Sequence, residues 1–327
     1  HADVDRRRLP QANDLGEKSF LLFGGEFQIG AVRETASLRH EAKYTEFHDP
    51  QVAAEVEQLT TSILRPLRLR RQGVPAANGV LMYGPPGCGK SFIADALARA
   101  SGMQYLKIGP SDVIDEWLGT GVVHVRALFD KARAIAPCIV VIDELDALLP
   151  SRSARVHSNM HVDQKNLVDE LLVQMNNASQ DGIVVIGTTN RVSDVDDAAV
   201  RSGRFDIKMP IFPPNPEERR AIILHELAQP GRVSTLPDDH LITVVQRTPL
   251  YTSSDLAALV GEAARQASSH SAETEDVRIT GEDMHAALQR VQRSLSPEAL
   301  KDWLNDVRRW NPGHGRMIQL DAEIKLV

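Results

Sequence analysis

Short apolar runs alternate with helical periodicity through the middle of this chain. The runs are residues 80–83 (VLMY), 105–108 (YLKI), 139–142 (IVVI) and 183–186 (IVVI), and stretches with apolar positions every three or four residues separate them. Strands that are apolar on both faces and joined through helices predict a parallel sheet covered on both sides between 79 and 210. After Pro213 and Pro214 the strand signal stops. Helical pieces starting at Glu217, Ser254 and Gly281, and ending near Arg293, predict a smaller α-helical unit. Upstream, Val52, Val56 and Leu59 follow Asp49 and Pro50 at helical spacing and predict an amphipathic helix. Apolar residues around Gly24 and Gly25 predict a short β-hairpin within 19–29. Residues 1–18 are polar, carry the run Arg6, Arg7, Arg8, and read as a flexible arm.

At 327 residues the chain can build two or three domains with separate cores. The pattern divides it into an N-terminal arm or linker with the hairpin (1–44), a large α/β domain (45–212), a small helical domain (213–300) and a C-terminal helix and tail (301–327). A net charge of −7 removes the basic footprint on which nucleic-acid binders depend, so nucleic acid is a poor candidate partner. Arg65, Arg68, Arg70 and Arg71 stand near a helix end, where cations complement the macrodipole and stay solvated. The two cysteines, Cys88 and Cys138, suit no disulfide scaffold and point to a reducing, cytoplasmic compartment. Charges cut every long apolar stretch, as Asp143 cuts the run from Cys138, so no membrane span is expected. The chain opens on His1 rather than methionine, as a fragment of a longer protein does.

Candidate chemistry begins directly after the first run. Gly84, Gly89, Lys90 and Ser91 satisfy G-x-x-x-x-G-K-[ST] between a strand and a helix carrying Ile93, Leu97 and Ala100. Glycines let backbone N–H groups turn around phosphates, the helix start adds positive potential, Lys90 reaches the outer phosphates, and Ser91 can ligate magnesium. The third run ends in Asp143 and Glu144, two acids at the carboxyl end of a buried parallel strand, where such sheets bind ligands. Asp143 is expected to hold Mg2+ and Glu144 to orient and deprotonate an attacking water. Asp146 reads as a helix-start acid. The fourth run ends in Thr188, Thr189 and Asn190, and a polar amide there either contacts a γ-phosphate or simply makes a turn.

Taken in order, residues 79–91, 116–133 (EWLGTGVVHVRALFDKAR), 137–147 (PCIVVIDELDA), 187–191 (GTTNR) and 201–206 (RSGRFD) resemble the AAA family. Within it they resemble the protein-unfolding ATPase modules of valosin-containing-protein type, over roughly 45–300. The resemblance implies a P-loop NTPase fold, a parallel sheet sandwiched by helices, followed by a small α-helical lid domain. It also implies an Mg-dependent ATPase working as a homohexameric ring that threads or remodels a protein substrate, with an adaptor where one selects the target. ATP or ADP would lie against Gly84, Pro85, Pro86, Gly87, Cys88, Gly89, Lys90 and Ser91, with Phe92 behind them. Asn190 would sense the γ-phosphate, and Arg201 and Arg204 would act as arginine fingers in the adjacent subunit's site. Trp117, Leu118 and Gly119 fall where the family carries its substrate-gripping pore loop, and 151–163 where a second pore loop lies. His157 and His161 in that stretch lack the further ligands a metal site needs. His225 falls near the family's adenine pocket, and Ser253 and Ser254 stand where a lid helix meets nucleotide.

Several positions depart from the family pattern. Ser253 and Ser254 replace a Gly-Ala pair, Asn176, Asn177 and Ala178 stand in place of Asp-Gly-Phe, and Phe47, His48, Asp49 and Pro50 lack a glycine pair. Two rival readings remain: a nucleic-acid motor or loader on a related ring, and a nucleotide-gated scaffold with little turnover. The acidic charge and the tryptophan speak against the first. The intact set Lys90, Asp143, Glu144, Asn190, Arg201 and Arg204 speaks against the second.

Overall fold

The structure, a computed structural model, describes residues 21–22, 25–26, 79–100, 103–113, 120–151, 162–178, 180–201, 203–234, 236–269 and 277–325. The polar arm, the helix from Val52, the arginines Arg65 to Arg71, the loop with Trp117, Leu118 and Gly119, and the histidines His157 and His161 lie outside the described residues. Of the expected hairpin, strands β1 (Leu21–Leu22) and β2 (Gly25–Glu26) are described, and they pair antiparallel with Leu22 opposite Gly25.

The elements that follow are β3 (Gly79–Tyr83), α1 (Lys90–Ala100), β4 (Gln104–Ile108), α2 (Pro110–Val113), α3 (Thr120–Ala134), β5 (Cys138–Ile142), α4 (Leu145–Leu148), α5 (Val162–Ala178), β6 (Ile183–Thr189), α6 (Asp197–Val200) and β7 (Ile207–Pro210). Strands β3 to β7 form one sheet in the order β4-β5-β6-β3-β7, and every pairing is parallel. All residues of β3, β5 and β6 are buried, which explains their near-continuous Val and Ile content: both faces are covered by helices. Edge strand β4 alternates toward solvent instead. All four expected runs are strands. Edge strand β7 escapes the sequence pattern because Lys208 breaks its apolar run and Pro210 ends it.

Beyond Pro213 and Pro214 come α7 (Pro216–Leu227), β8 (Arg232–Ser234), α8 (Asp238–Gln246), α9 (Ser253–Ser268), β9 (Val277–Ile279), α10 (Gly281–Arg290), α11 (Pro297–Trp310) and α12 (Arg316–Lys325). The expectation that strands end at Pro214 needs correction. Strands β8 and β9 pair in parallel beside the helices, each only three residues long and too short for periodicity to show. Three of the helices carry full capping boxes, at Asn215 with Glu218, Thr252 with Asp255, and Thr280 with Asp283. Each box satisfies two N–H groups that the helix itself leaves unpaired.

Among the described residues two apolar clusters fill the interior. The smaller joins Ile223, Leu241, Leu256, Leu259, Ile279 and Met284 of the helical part. The larger surrounds the sheet and also takes in Leu300, Trp303, Leu304, Val307, Leu320 and Ile324. The last two helices therefore return to the α/β body. Their return is anchored at Tyr83, whose hydroxyl donates to Asn311 Oδ1 (2.7 Å), while Asn311 Nδ2 donates to the Lys208 carbonyl on β7 (2.9 Å). That bond occupies backbone of an edge strand that would otherwise invite pairing.

Two buried arginines hold the crossing between the clusters. Arg316 donates to Pro213 O (3.0 Å) and to Glu218 Oε2 (2.8 Å), and its guanidinium lies 5.3 Å from the Phe212 ring centroid. Arg219 reaches Pro214 O and Glu323 Oε1, both at 3.0 Å. Arg316→Met should therefore leave the Glu218 carboxylate half-paired and lower unfolding free energy by about 3 kcal/mol. Urea denaturation checks this, and an unchanged midpoint would contradict it.

Candidate active site

Parallel pairing brings three strand ends to one rim. Tyr83 pairs with Thr189 and Ile142 with Gly187, so Gly84, Asp143 and Asn190 all follow strands that stop side by side. The loop from Gly84 to Ser91 leaves β3, between β6 and edge strand β7, and turns straight into α1. Gly84 passes so close to β7's exit that an added Cβ would stand 2.2 Å from Ile211 O.

Lys90 is nearly closed to solvent, at 9 % exposure, and its ammonium has three acceptors. Gly84 O, Pro85 O and Asn190 Oδ1 each lie 2.9 Å from Nζ, which matches the three donors of an ammonium. Burial lowers the Lys90 pKa, opposed by the negative charge of Asp143 and Asp146. The pairing joins the loop to the end of β6, so Lys90 and Asn190 meet.

Ser91 Oγ donates to Asp143 Oδ1 at 2.8 Å, and the Thr188 hydroxyl donates to the same oxygen. Lys107 Nζ stands 3.5 Å from Asp143 Oδ2. Burial opposes the charge on Asp143, yet these hydrogen bonds and Lys107 outweigh it and hold the carboxyl below the usual Asp range. Glu144 is exposed beside this cluster, its backbone left-handed at φ 49° and ψ 52°, and its N–H donates to Thr188 Oγ1 (3.2 Å). A non-glycine residue held in that region carries strain that surrounding contacts must support. Asp146 sits in the first turn of α4 and accepts from Thr189 Oγ1 (2.7 Å), tying that helix to β6. Sequence reasoning did not assign Thr188 or Lys107. The signal for Lys107 was its place as the one charge within an apolar strand.

Arg201 and Arg204 lie elsewhere. They precede β7, whose first residue, Ile207, pairs with Val80 at the start of β3, whereas the phosphate loop follows the end of β3. Strand rise sets roughly 13 Å or more between those two ends. Arg201 is exposed. Arg204 donates through Nε to Asn176 Oδ1 (2.8 Å) and through Nη1 to Ala198 O. Asn176, one of the departures from the family pattern, thus holds Arg204 in place.

The family model described as "ATPase family associated with various cellular activities (AAA)" matches residues 80–212, the stretch that contains this whole arrangement. Residues 80–212 thus form an ATPase domain of the AAA family. The chain is 38 % identical over 216 residues to ATP-dependent zinc metalloprotease FtsH 1 of Symbiobacterium thermophilum, covering 65 % of this chain and 36 % of that protein. It is 34 % identical over 280 residues to the FtsH of Aquifex aeolicus, covering 84 % and 43 %. The matched stretch thus spans less than half the length of either relative. The crystal structure of the FIGL-1 AAA domain in complex with ADP aligns with a TM-score of 0.67 and 26 % identity, over 79 % of this chain and 87 % of that one.

The helical part touches the loop from Gly84 to Ser91 directly. Ser254 N donates to Gly87 O (3.1 Å), and the Ser254 hydroxyl points to the same carbonyl at 3.4 Å. Gly87 has φ +77°, and a Cβ there would stand 2.9 Å from Thr252 Oγ1, so a side chain would be strained and would push on the start of α9. The Ser253 and Ser254 departure therefore leaves the close backbone approach intact. Ser253 Oγ would lie 3.9 Å from a Cβ on Gly89, beside the loop as well. His225, by contrast, is exposed in the last turn of α7 with its ring nitrogen 3.2 Å from Gln229, and none of its hydrogen bonds reaches the loop. Phe92 is 73 % exposed. Among the described residues no group of three or more His, Cys, Asp or Glu could hold a metal ion by itself.

Cys88 is buried inside the loop, and that burial pushes its thiol up to about 12 despite the nearby Lys90. At pH 8 the thiolate fraction is negligible. Iodoacetamide at that pH should leave Cys88 unmodified in the folded protein and ATP turnover intact, as peptide mass mapping would check. Rapid modification would contradict the closed position of the thiol.

Proposed function

We propose that this chain hydrolyses ATP with Mg2+ as one position of a homohexameric ring that remodels or threads protein substrates. The observation that carries the reading is the separation of Arg201 and Arg204 from their own phosphate loop, at the far end of β3. One copy holds the loop, both acids and Asn190. A second copy's arginines supply the planar, permanent positive charge that developing phosphate charge calls for.

Within one site the residues divide the work. Lys90 exchanges its loop carbonyls for β- and γ-phosphate oxygens, and Asn190, already bonded to Lys90, is placed to follow the presence of the γ-phosphate. Glu144 takes the proton of the attacking water as its oxygen bonds to the γ-phosphorus and the bond to ADP breaks, giving ADP and inorganic phosphate. The side-by-side oxygens of Ser91 and Asp143, the latter kept ionised, fit a hard divalent cation. Bound there with ATP, Mg2+ would neutralise phosphate charge. Gly84 to Gly89 would wrap the phosphates, and the contact of Ser254 with Gly87 would transmit the state of the loop to the helical domain.

Protein as the substrate class rests on three supports: the metalloprotease names of the FtsH relatives, the net charge of −7, and the position of Trp117, Leu118 and Gly119 in the family's order of motifs. A tryptophan between Glu116 and Leu118, with glycines at 119 and 121, offers a large apolar grip.

Glu144→Gln should retain ATP, stabilise the oligomer and lose turnover by on the order of 10²-fold or more. Trp117→Ala should lose substrate remodelling while basal ATP turnover continues. ATPase assays, mass by light scattering and unfolding of a fluorescent substrate read these outcomes. Unchanged turnover in Glu144→Gln would overturn the hydrolytic assignment, and unchanged remodelling in Trp117→Ala the threading one.

A further inference from the structure

A second cleft lies beside Arg201, away from the phosphate loop. It has a volume of about 550 Å³ and is lined by Asp197, Val200, Arg201, Lys208, Arg309 and Trp310. Three of these side chains are cations and one is a carboxylate, a net charge of +2 from 3 − 1. The carboxylate does not neutralise its neighbours, because Asp197 is exposed and forms no ion pair with any of them among the described residues. Arg201 is exposed in the same way.

The cations are also held in place. Lys208 Nζ lies 5.2 Å and the Arg309 guanidinium 5.0 Å from the Trp310 ring centroid, so one indole steadies both by cation–π attraction. Lys208 is further fixed by donating to Phe205 O (3.2 Å). Position at the C-terminal end of α11 accounts for a cation through the helix macrodipole. It does not account for the difference between neighbours: Arg308 pairs with Asp321 (3.3 Å), whereas Arg309 has no salt bridge among the described residues. Asp206 acts on Lys208, and Asp306 on Arg309, from outside the lining, and an anion entering the cleft relieves the repulsion left among the three cations.

We propose that Arg309 and Lys208, steadied by Trp310, join Arg201 in a composite anion site that receives the polyphosphate of the nucleotide bound at the adjacent copy's phosphate loop. This rests on the reading of Arg201 as a residue acting between copies. It adds to that reading a contribution from α11, which lies outside the 80–212 stretch that matches the family model. The C-terminal segment then serves two ends: it fills the core through Trp303 and Val307, and it presents a second guanidinium fork to a neighbour's phosphates.

The test uses the full chain with Arg309→Ala, and Arg201→Ala as reference. Arg309 is exposed, so folding should survive, and an unchanged thermal midpoint confirms it. Arg309→Ala should lower ATP turnover by about tenfold while a fluorescent ATP analogue still binds. Mixing it with Glu144→Gln copies, which carry an intact Arg309 but turn over little ATP themselves, should raise turnover above the sum of the two alone. Wild-type turnover in Arg309→Ala, with Arg201→Ala rescued by the same mixing, would overturn this proposal and leave the trans reading standing. Failure of Arg201→Ala to be rescued would overturn both. A loss in Arg309→Ala that mixing does not repair would place Arg309 in its own copy's site and overturn the proposal. Weaker assembly with normal turnover per assembled copy would show an acidic protein surface in the cleft instead of a nucleotide, and would equally overturn it.

Discussion

A buried ammonium has to find acceptors, and the way Lys90 finds them organises the rest of this molecule. With 9 % of its surface exposed, Lys90 uses all three donors, on two carbonyls of its own loop and on Asn190 at the end of β6. That geometry requires β3 and β6 to be parallel neighbours ending level with each other, as the pairing of Tyr83 with Thr189 provides. The same sheet order places Asp143, at the end of β5, next to Ser91. Polar groups buried in a low-dielectric setting are costly unless fully bonded, so this network specifies one arrangement of loop and strand ends. On the proposed function, phosphate oxygens would replace the loop carbonyls without leaving the lysine unpaired.

The helical part is tied to this network at two places of different character. At the loop, a single backbone bond from Ser254 to Gly87 and close packing against Thr252 make a contact that depends on how the loop is shaped. At the crossing near Pro213, Arg316 and Arg219 bind main-chain carbonyls and carboxylates from α7 and α12 together. The second joint is charged, buried and multiply bonded, and the first is slight. On the proposed function, changes at the loop would act on the helical domain through the slight contact while the crossing stays fixed.

Much of this was legible in the residues because the signals were local. The glycine spacing of the loop, the apolar runs of β3 to β6 and the acids after β5 each declare themselves within a dozen positions. Features set by distant partners did not. The strand β7 owes its place to pairing with β3 and to Asn311, and carries a lysine and a proline that conceal it. Thr188 acquires its role only because β6 runs beside β5, and Asn176 because Arg204 folds back onto α5. Residues 213–300 contain two short strands that periodicity cannot register, and the C-terminal helices belong energetically to the α/β core through Trp303, packed edge-on against Phe212 at 5.0 Å. With Ser253 and Ser254 in place of Gly-Ala, the backbone bond from Ser254 to Gly87 still forms.

On the proposed function a catalytic site is complete only between copies, since Arg201 stands near the start of β3 and Lys90 beyond its end. Steady-state ATP turnover per chain, measured across a dilution series with assembly mass followed in parallel, addresses it most directly. Turnover per chain should climb as copies associate and level off once assembly is complete. A rate per chain that stays constant down to concentrations where only single copies remain would contradict it.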